Sequence, residues 1–163
     1  MGTLSARSLA GALTGVAMAM VMRGSLRVVT VRGAGMRPTL DDGDRVLVAR
    51  IPRRMIPIGA LVLATVPRAV HGLPDGTVRV IKRLVGRPGD TVVVDLRTLS
   101  PDLAGRLVRS NGTMDLRWRL GNRECFLRGD NPSSADPVPL GALPLRTVDG
   151  VVVARLGRRT AGL

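Results

Sequence analysis

The chain has 163 residues, room for one domain with at most a small insertion, and 45% of them are hydrophobic, enough for a packed core. Its formal charge of +13 invites a nucleic-acid partner, yet the basic residues are scattered and one Trp, one Phe and no Tyr leave little to stack on bases, so no specific nucleic-acid partner is expected. A lone cysteine and a lone histidine exclude an internal disulfide and a clustered His/Cys zinc site, and neither metal nor cofactor is expected.

After an N-terminal segment, 1–7, comes a hydrophobic helix expected over 8–23. Its core, 9–22, has no charge and is bounded by Arg7 and Arg23. A bilayer span usually needs about 20 apolar residues and at least about 17. The run is shorter than that and rich in Gly and Ala, and three readings fit. It is a membrane anchor, a signal peptide cleaved after Ala17-Met18-Ala19, or a buried helix. Arg23, Arg27, Arg32 and Arg37 follow the run and only Arg7 precedes it, a bias that favours a cytoplasmic main domain.

The main domain is expected over 26–157, with a loose tail at 158–163. Eleven prolines and 20 glycines predict many short strands and turns. Strands are read at 26–32, 45–50, 60–65, 77–84, 91–95, 123–128 and 150–155. A Gly-rich turn, Val31-Arg-Gly-Ala-Gly-Met-Arg-Pro-Thr-Leu40, and a turn cluster, Asp41-Asp42-Gly43-Asp44, separate the first two. His71 lies in a Gly/Pro-rich loop, and any His-based hydrolase triad would have to use it. Residues 96–123 are Arg-rich and weakly patterned, an insertion with short strands at 106–109 and 115–119 and Trp118 half-buried. Cys125 reads as a small buried hydrophobe, and 137–147 as loop.

Within the strand at 77–84 stands Lys82, the only lysine; the other 24 of the 25 basic residues are arginine. Arginine supplies fixed charge, whereas a lysine amine shielded from water can lose its proton and act as a base. Alternation along a strand puts Lys82 on one face with Val78, Val80 and Leu84, and Arg79, Ile81 and Arg83 on the other. The plainer reading is a lysine that snorkels to solvent.

Four ordered stretches resemble boxes of the type I signal peptidase family (S26), serine/lysine membrane proteases that remove signal peptides. They are the turn 31–40, Gly43-Asp-Arg-Val-Leu-Val48, Ile81-Lys-Arg-Leu-Val-Gly-Arg-Pro-Gly-Asp90 and Gly129-Asp-Asn-Pro-Ser-Ser-Ala-Asp136. Val148-Asp-Gly-Val-Val-Val-Ala-Arg155 resembles the family's last strand. The resemblance implies a mainly β domain of coiled antiparallel sheets, of the signal-peptidase and LexA-like type, behind a short hydrophobic helix. It implies an extended peptide or precursor protein as substrate, cut after small residues, and an extracytoplasmic domain on a single membrane anchor among lipid. The charge bias argues for the opposite side.

Carried over residue by residue, the resemblance makes Lys82 the general base and Ser134 the residue that orients its amine. It makes Arg83, Asp130, Asp136 and Gly33 structural at the site, and puts Met36, Pro38, Leu61 and Leu63 along the substrate groove. Pro137 and Val138 stand where the family has a serine and an arginine. The main departure is Gly35, which occupies the position of the nucleophilic serine. Acyl transfer by this route needs an oxygen that attacks the carbonyl and carries the acyl group. The resemblance therefore leads to a poorly active or inactive pseudopeptidase that binds extended peptides or partners an active paralogue. An active or engineered-inactive processing peptidase and an Arg-rich nucleic-acid-binding β domain are the alternatives. As a substitute nucleophile Thr39, four residues on, is expected to face elsewhere, a water activated by Lys82 is a further substitute, and Gly35 in a plainer reading serves only the turn, at positive φ.

Overall fold

A computed structural model describes residues 25–67, 76–95, 115–132 and 142–158. Nine strands are found there: β1 (Leu26–Thr30), β2 (Asp44–Ala49), β3 (Leu61–Pro67), β4 (Thr77–Gly86), β5 (Thr91–Asp95), β6 (Asp115–Arg119), β7 (Glu124–Arg128), β8 (Ala142–Pro144) and β9 (Val148–Arg158). Seven form one sheet in the order β1-β2-β9-β3-β4-β7-β8, and β5 and β6 pair as a second. Every pairing is antiparallel, so the fold is the mainly β, antiparallel one expected. Residues 9–22, the loop of His71, Ser134 and Asp136 lie outside the described residues. Among the described residues no helix is long and apolar enough to cross a membrane.

The patterns explain the layering. In β2 burial alternates, with Asp44, Val46 and Val48 inward, as a half-buried strand requires. Central β3 is buried on both faces. Val62, Ala64 and Val66 join one core with Leu84, Cys125, Leu127 and Val148, while Leu63 joins another with Val31, Met36, Leu40, Val46, Val48 and Ile81. The sheet therefore separates two cores, and the turn 31–40 roofs the second. β9 pairs with β3 through Val148 to Val151 and with β2 from Val151 onward. Register shifts at Arg45/Val46, Leu47/Val48 and Leu63/Ala64 bend it from one neighbour to the other, which coils the sheet.

A third core joins the small sheet to the large one. Val94, Leu120 and Phe126 are its buried members, and the Trp118 and Phe126 rings lie 5.3 Å apart. A side-chain carbon at Gly86 would run into Val92 and come within 2.8 Å of Leu120, so glycine lets the two sheets touch. One expectation holds and another changes. Residues 115–119 do form a strand, but it pairs with β5 and shares a core with the main sheet. The stretch 137–147, read as loop, contains β8 and a short 3-10 turn (Leu145–Thr147). β8 is a three-residue edge strand ending in proline, too short to show a period.

Candidate active site

Lys82 is 5% exposed, one of two buried charged residues among the described ones, the other being Asp44. It pairs with Val62 of the first core across β3. On the other side β4 pairs Arg83 with Arg128 of β7. One step further along that register lies Gly129. A side-chain carbon there would stand 2.7 Å from the Gly35 carbonyl oxygen and 3.3 Å from Lys82 Nζ. The amine and the Gly35 backbone thus converge on one small volume, and the missing side chain of Gly129 makes room for both.

The turn is fastened to this wall through its backbone. The Asn131 N–H donates to the Gly35 carbonyl at 3.2 Å, and Asn131 Nδ2 donates to the Ala34 carbonyl at 3.0 Å. Within the turn, the Leu40 N–H donates to the Met36 carbonyl at 2.9 Å, one helical revolution that swings Thr39 back toward β7. The Arg37–Pro38 peptide is cis. Gly33 has φ +82 and its N–H donates to Asp42 Oδ1 at 2.7 Å. Gly35, in contrast, is not among the described glycines at positive φ, so its backbone dihedrals are open to other residues. This corrects the expectation of a positive φ at Gly35.

Beside the amine lies a charged cluster. Arg83 Nε and Nη2 reach the two oxygens of Asp130 at 2.7 and 2.5 Å, a two-pronged pair, and Nη1 donates to the Gly59 carbonyl at 2.5 Å. Thr39 Oγ1 donates to Asp130 Oδ2 at 2.5 Å. Burial alone would push the Asp130 carboxyl up. The hydrogen bonds from Arg83 and Thr39, with the charges of Arg83 and Arg128, together outweigh it and hold the carboxyl below the usual range. The hydrogen bond to Asp130, opposed by burial and helped by its charge, holds the Arg83 guanidinium above its ordinary value. Thr39 belongs to this cluster, bonded to Asp130. Its partner is 91 residues away, a distance that local pattern cannot bridge.

A second clamp holds the other end of the turn. Asp44, fully buried at the start of β2, accepts from Arg155 Nη2 at 2.8 Å and from the Asp41 N–H at 2.7 Å. Arg155 Nη1 also reaches the Thr39 carbonyl at 3.5 Å. Asp44 was read as part of a turn cluster, and its burial is a structural finding.

The residues expected along the groove divide. Met36 and Leu63 are 3% and 1% exposed and lie buried in the second core. Leu61 is half-buried and Pro38 exposed. The structure brings together Lys82, Gly35, Arg83 and Asp130, and adds Thr39, Gly129 and Asn131. Among the described residues no group of three or more His, Cys, Asp or Glu is placed to hold a metal ion. The buried Cys125 thiol is pushed up to about 11, by burial first and by the Glu124 charge second.

No curated protein matches the chain. The family described as signal peptidase, peptidase S26, matches residues 6–115, which include Gly35 and Lys82 and stop before Asp130. That match spans well over half of the sequence, and the chain belongs to the signal peptidase S26 family.

Proposed function

We propose that this signal-peptidase-like domain binds extended peptides at the mouth formed by the turn 31–40 and β3, and cleaves them poorly or not at all. One observation carries the reading. Lys82 Nζ and the Gly35 backbone flank the same volume at Gly129, and position 35 offers no side-chain oxygen. In this reading Lys82 is the general base of a serine/lysine pair whose nucleophile is missing. Ser134 orients the amine, Gly33, Arg83, Asp130 and Asp136 hold the surroundings, and Met36, Pro38, Leu61 and Leu63 form the groove.

Peptide cleavage through an acyl-enzyme begins when a base takes the proton from a hydroxyl as its oxygen attacks the carbonyl. With glycine there, the base has no bound nucleophile to activate. In other serine proteases removal of that oxygen costs on the order of a millionfold, while binding and oxyanion contacts persist. A peptide adding as a strand is held mainly by main-chain hydrogen bonds, which a glycine leaves unchanged. The same proposal includes a membrane anchor at 9–22, an extracytoplasmic domain and cooperation with an active paralogue.

The test uses a fluorescent precursor peptide with small residues at the cut. The chain is expected to raise its anisotropy saturably and to release no product over hours. Efficient release by the chain as it stands would sink the proposal.

A further inference from the structure

Two strand edges stand open beside the buried amine. β4 meets β7 only from Arg83 onward, through the pairs Arg83–Arg128, Leu84–Leu127 and Gly86–Phe126. Among the described residues its stretch from Thr77 to Lys82 therefore has β3 on one side and no strand on the other. β1 is likewise paired on one side only, with β2. The coiled sheet brings both edges to one apolar cluster: Val29 of β1 packs against the second core, of which Ile81 of β4 is a member. Residues paired across antiparallel strands share a face. Arg79 pairs with Thr65 two places before Ile81 pairs with Leu63, and Arg27 pairs with Val48 two places before Val29 pairs with Val46. Each edge thus carries an exposed arginine on the face of the second core, one strand period before the cluster. Arg128, exposed and paired with Arg83, is a third on that face.

The positive charge on this face is not cancelled. Among the described residues none of Arg27, Arg79 and Arg128 is in an ion pair. The neighbouring carboxylates are engaged, Asp130 by Arg83 and Thr39, and the half-buried Asp149 of β9 by the Thr65 hydroxyl at 2.5 Å. We propose that this face selects acidic peptides: a peptide lying along the open edge of β4 sets a Glu or Asp against Arg79 and Arg27. The inference rests on the peptide-binding reading and names the class of peptide. Arg79 precedes Lys82 by three residues, about 10 Å along a strand that rises about 3.3 Å per residue. The acidic residue therefore stands about three residues from the small residues at the cut. An exposed arginine–carboxylate contact gives up to about fivefold in affinity, enough to rank peptides that share the same main-chain bonds.

Three fluorescent peptides test it on the full chain. They share small residues at the centre and carry Glu, Gln or Lys three residues away on both sides. Anisotropy is read in about 50 mM and about 500 mM salt, the second of which screens exposed charges. At low salt the Glu peptide is expected to bind about fivefold more tightly than the Gln peptide, the Lys peptide to bind most weakly, and the spread to shrink at high salt. Arg27→Gln should narrow the spread. Arg79→Glu should reverse the order, whereas Arg117→Glu, the same charge change on exposed β6, should keep it. Equal binding of the three peptides overturns the proposal and leaves peptide binding standing. Equal effects of the two glutamates overturn it as well, and assign the preference to the net charge of the chain. Binding of none of the peptides would sink the peptide-binding reading and this inference together.

Discussion

The turn 31–40 and the wall made by β4 and β7 meet at Gly129, and they differ in what they bring there. The wall presents a buried amine and a two-pronged ion pair. The turn presents backbone: the Gly35 carbonyl, the Ala34 carbonyl and, further along, Thr39. The hydrogen bonds that hold the turn against the wall run through the Gly35 and Ala34 carbonyls and the Thr39 hydroxyl. Positioning and reactivity are therefore separable here. The contacts that fasten the turn to the wall use its backbone and Thr39, so a residue with a small side chain at 35 is expected to leave them in place.

The sharpest way to break this comparison is Gly35→Ser. The backbone there lies outside the positive-φ region, so a serine adds an oxygen without backbone strain. Cleavage of a precursor peptide is expected to rise by roughly 10³-fold or more, within the span that loss of a serine nucleophile covers elsewhere. An unchanged cleavage rate would mean that the deficit is not confined to position 35. In that serine background, Lys82→Met is expected to abolish the gain while shifting stability by less than about 1.5 kcal/mol, because an apolar chain of similar length fits beside Val62. Turnover that survives the methionine would remove the general-base role.

Next in size is Gly129→Ala. The added carbon would stand 2.7 Å from the Gly35 carbonyl oxygen, a backbone atom that cannot swing aside. Overpacking of this kind costs about 1–3 kcal/mol, and here it would also push the turn off the wall, so peptide binding should weaken with stability. Gly121→Ala is the control. Its new carbon would meet only the flexible end of Glu124 at 3.3 Å, and its melting curve should hardly move. Equal effects from the two alanines would show that the convergence at Gly129 is not tight.

The same difference between wall and turn explains what could be read in advance. The wall was legible because its signals are local. A strand period sets the neighbours of Lys82, and Arg83 follows it in the chain. The strands of the main sheet came within a few residues for the same reason. The turn was less legible. The helical revolution that brings Thr39 to Asp130 and the close approach of Gly129 to Gly35 are made by residues about 90 positions apart, with nothing in either stretch to point to the other. β8 escaped because three residues at a sheet edge show no alternation. Gly35 misled on conformation: glycine permits positive φ but does not imply it, and Gly33, two residues earlier, is the one that adopts it.

The smallest expected effects probe the cluster that joins the two halves. Asp130 is held below the ordinary aspartate value of 3.8 in the folded chain. A carboxyl whose folded value is lowered stabilises the fold fully above its unfolded value, and loses that contribution as pH falls through the lowered one. Urea midpoints of the chain should therefore decline as pH drops from about 4 toward 2, and Asp130→Asn should flatten that part of the profile. At neutral pH the asparagine should cost roughly 1–3 kcal/mol, since it leaves the half-buried Arg83 guanidinium without its charged partner. Thr39→Val removes one neutral donor from the same carboxylate and should cost about 1 kcal/mol, with a shallower acid decline than the wild type. An acid profile that Asp130→Asn leaves unaltered would show that the carboxylate does not tie turn to wall. Among the described residues the attachment at Gly35 and Ala34 would then rest on Asn131, and Asn131→Ala, otherwise a partial loss, should loosen this end of the turn.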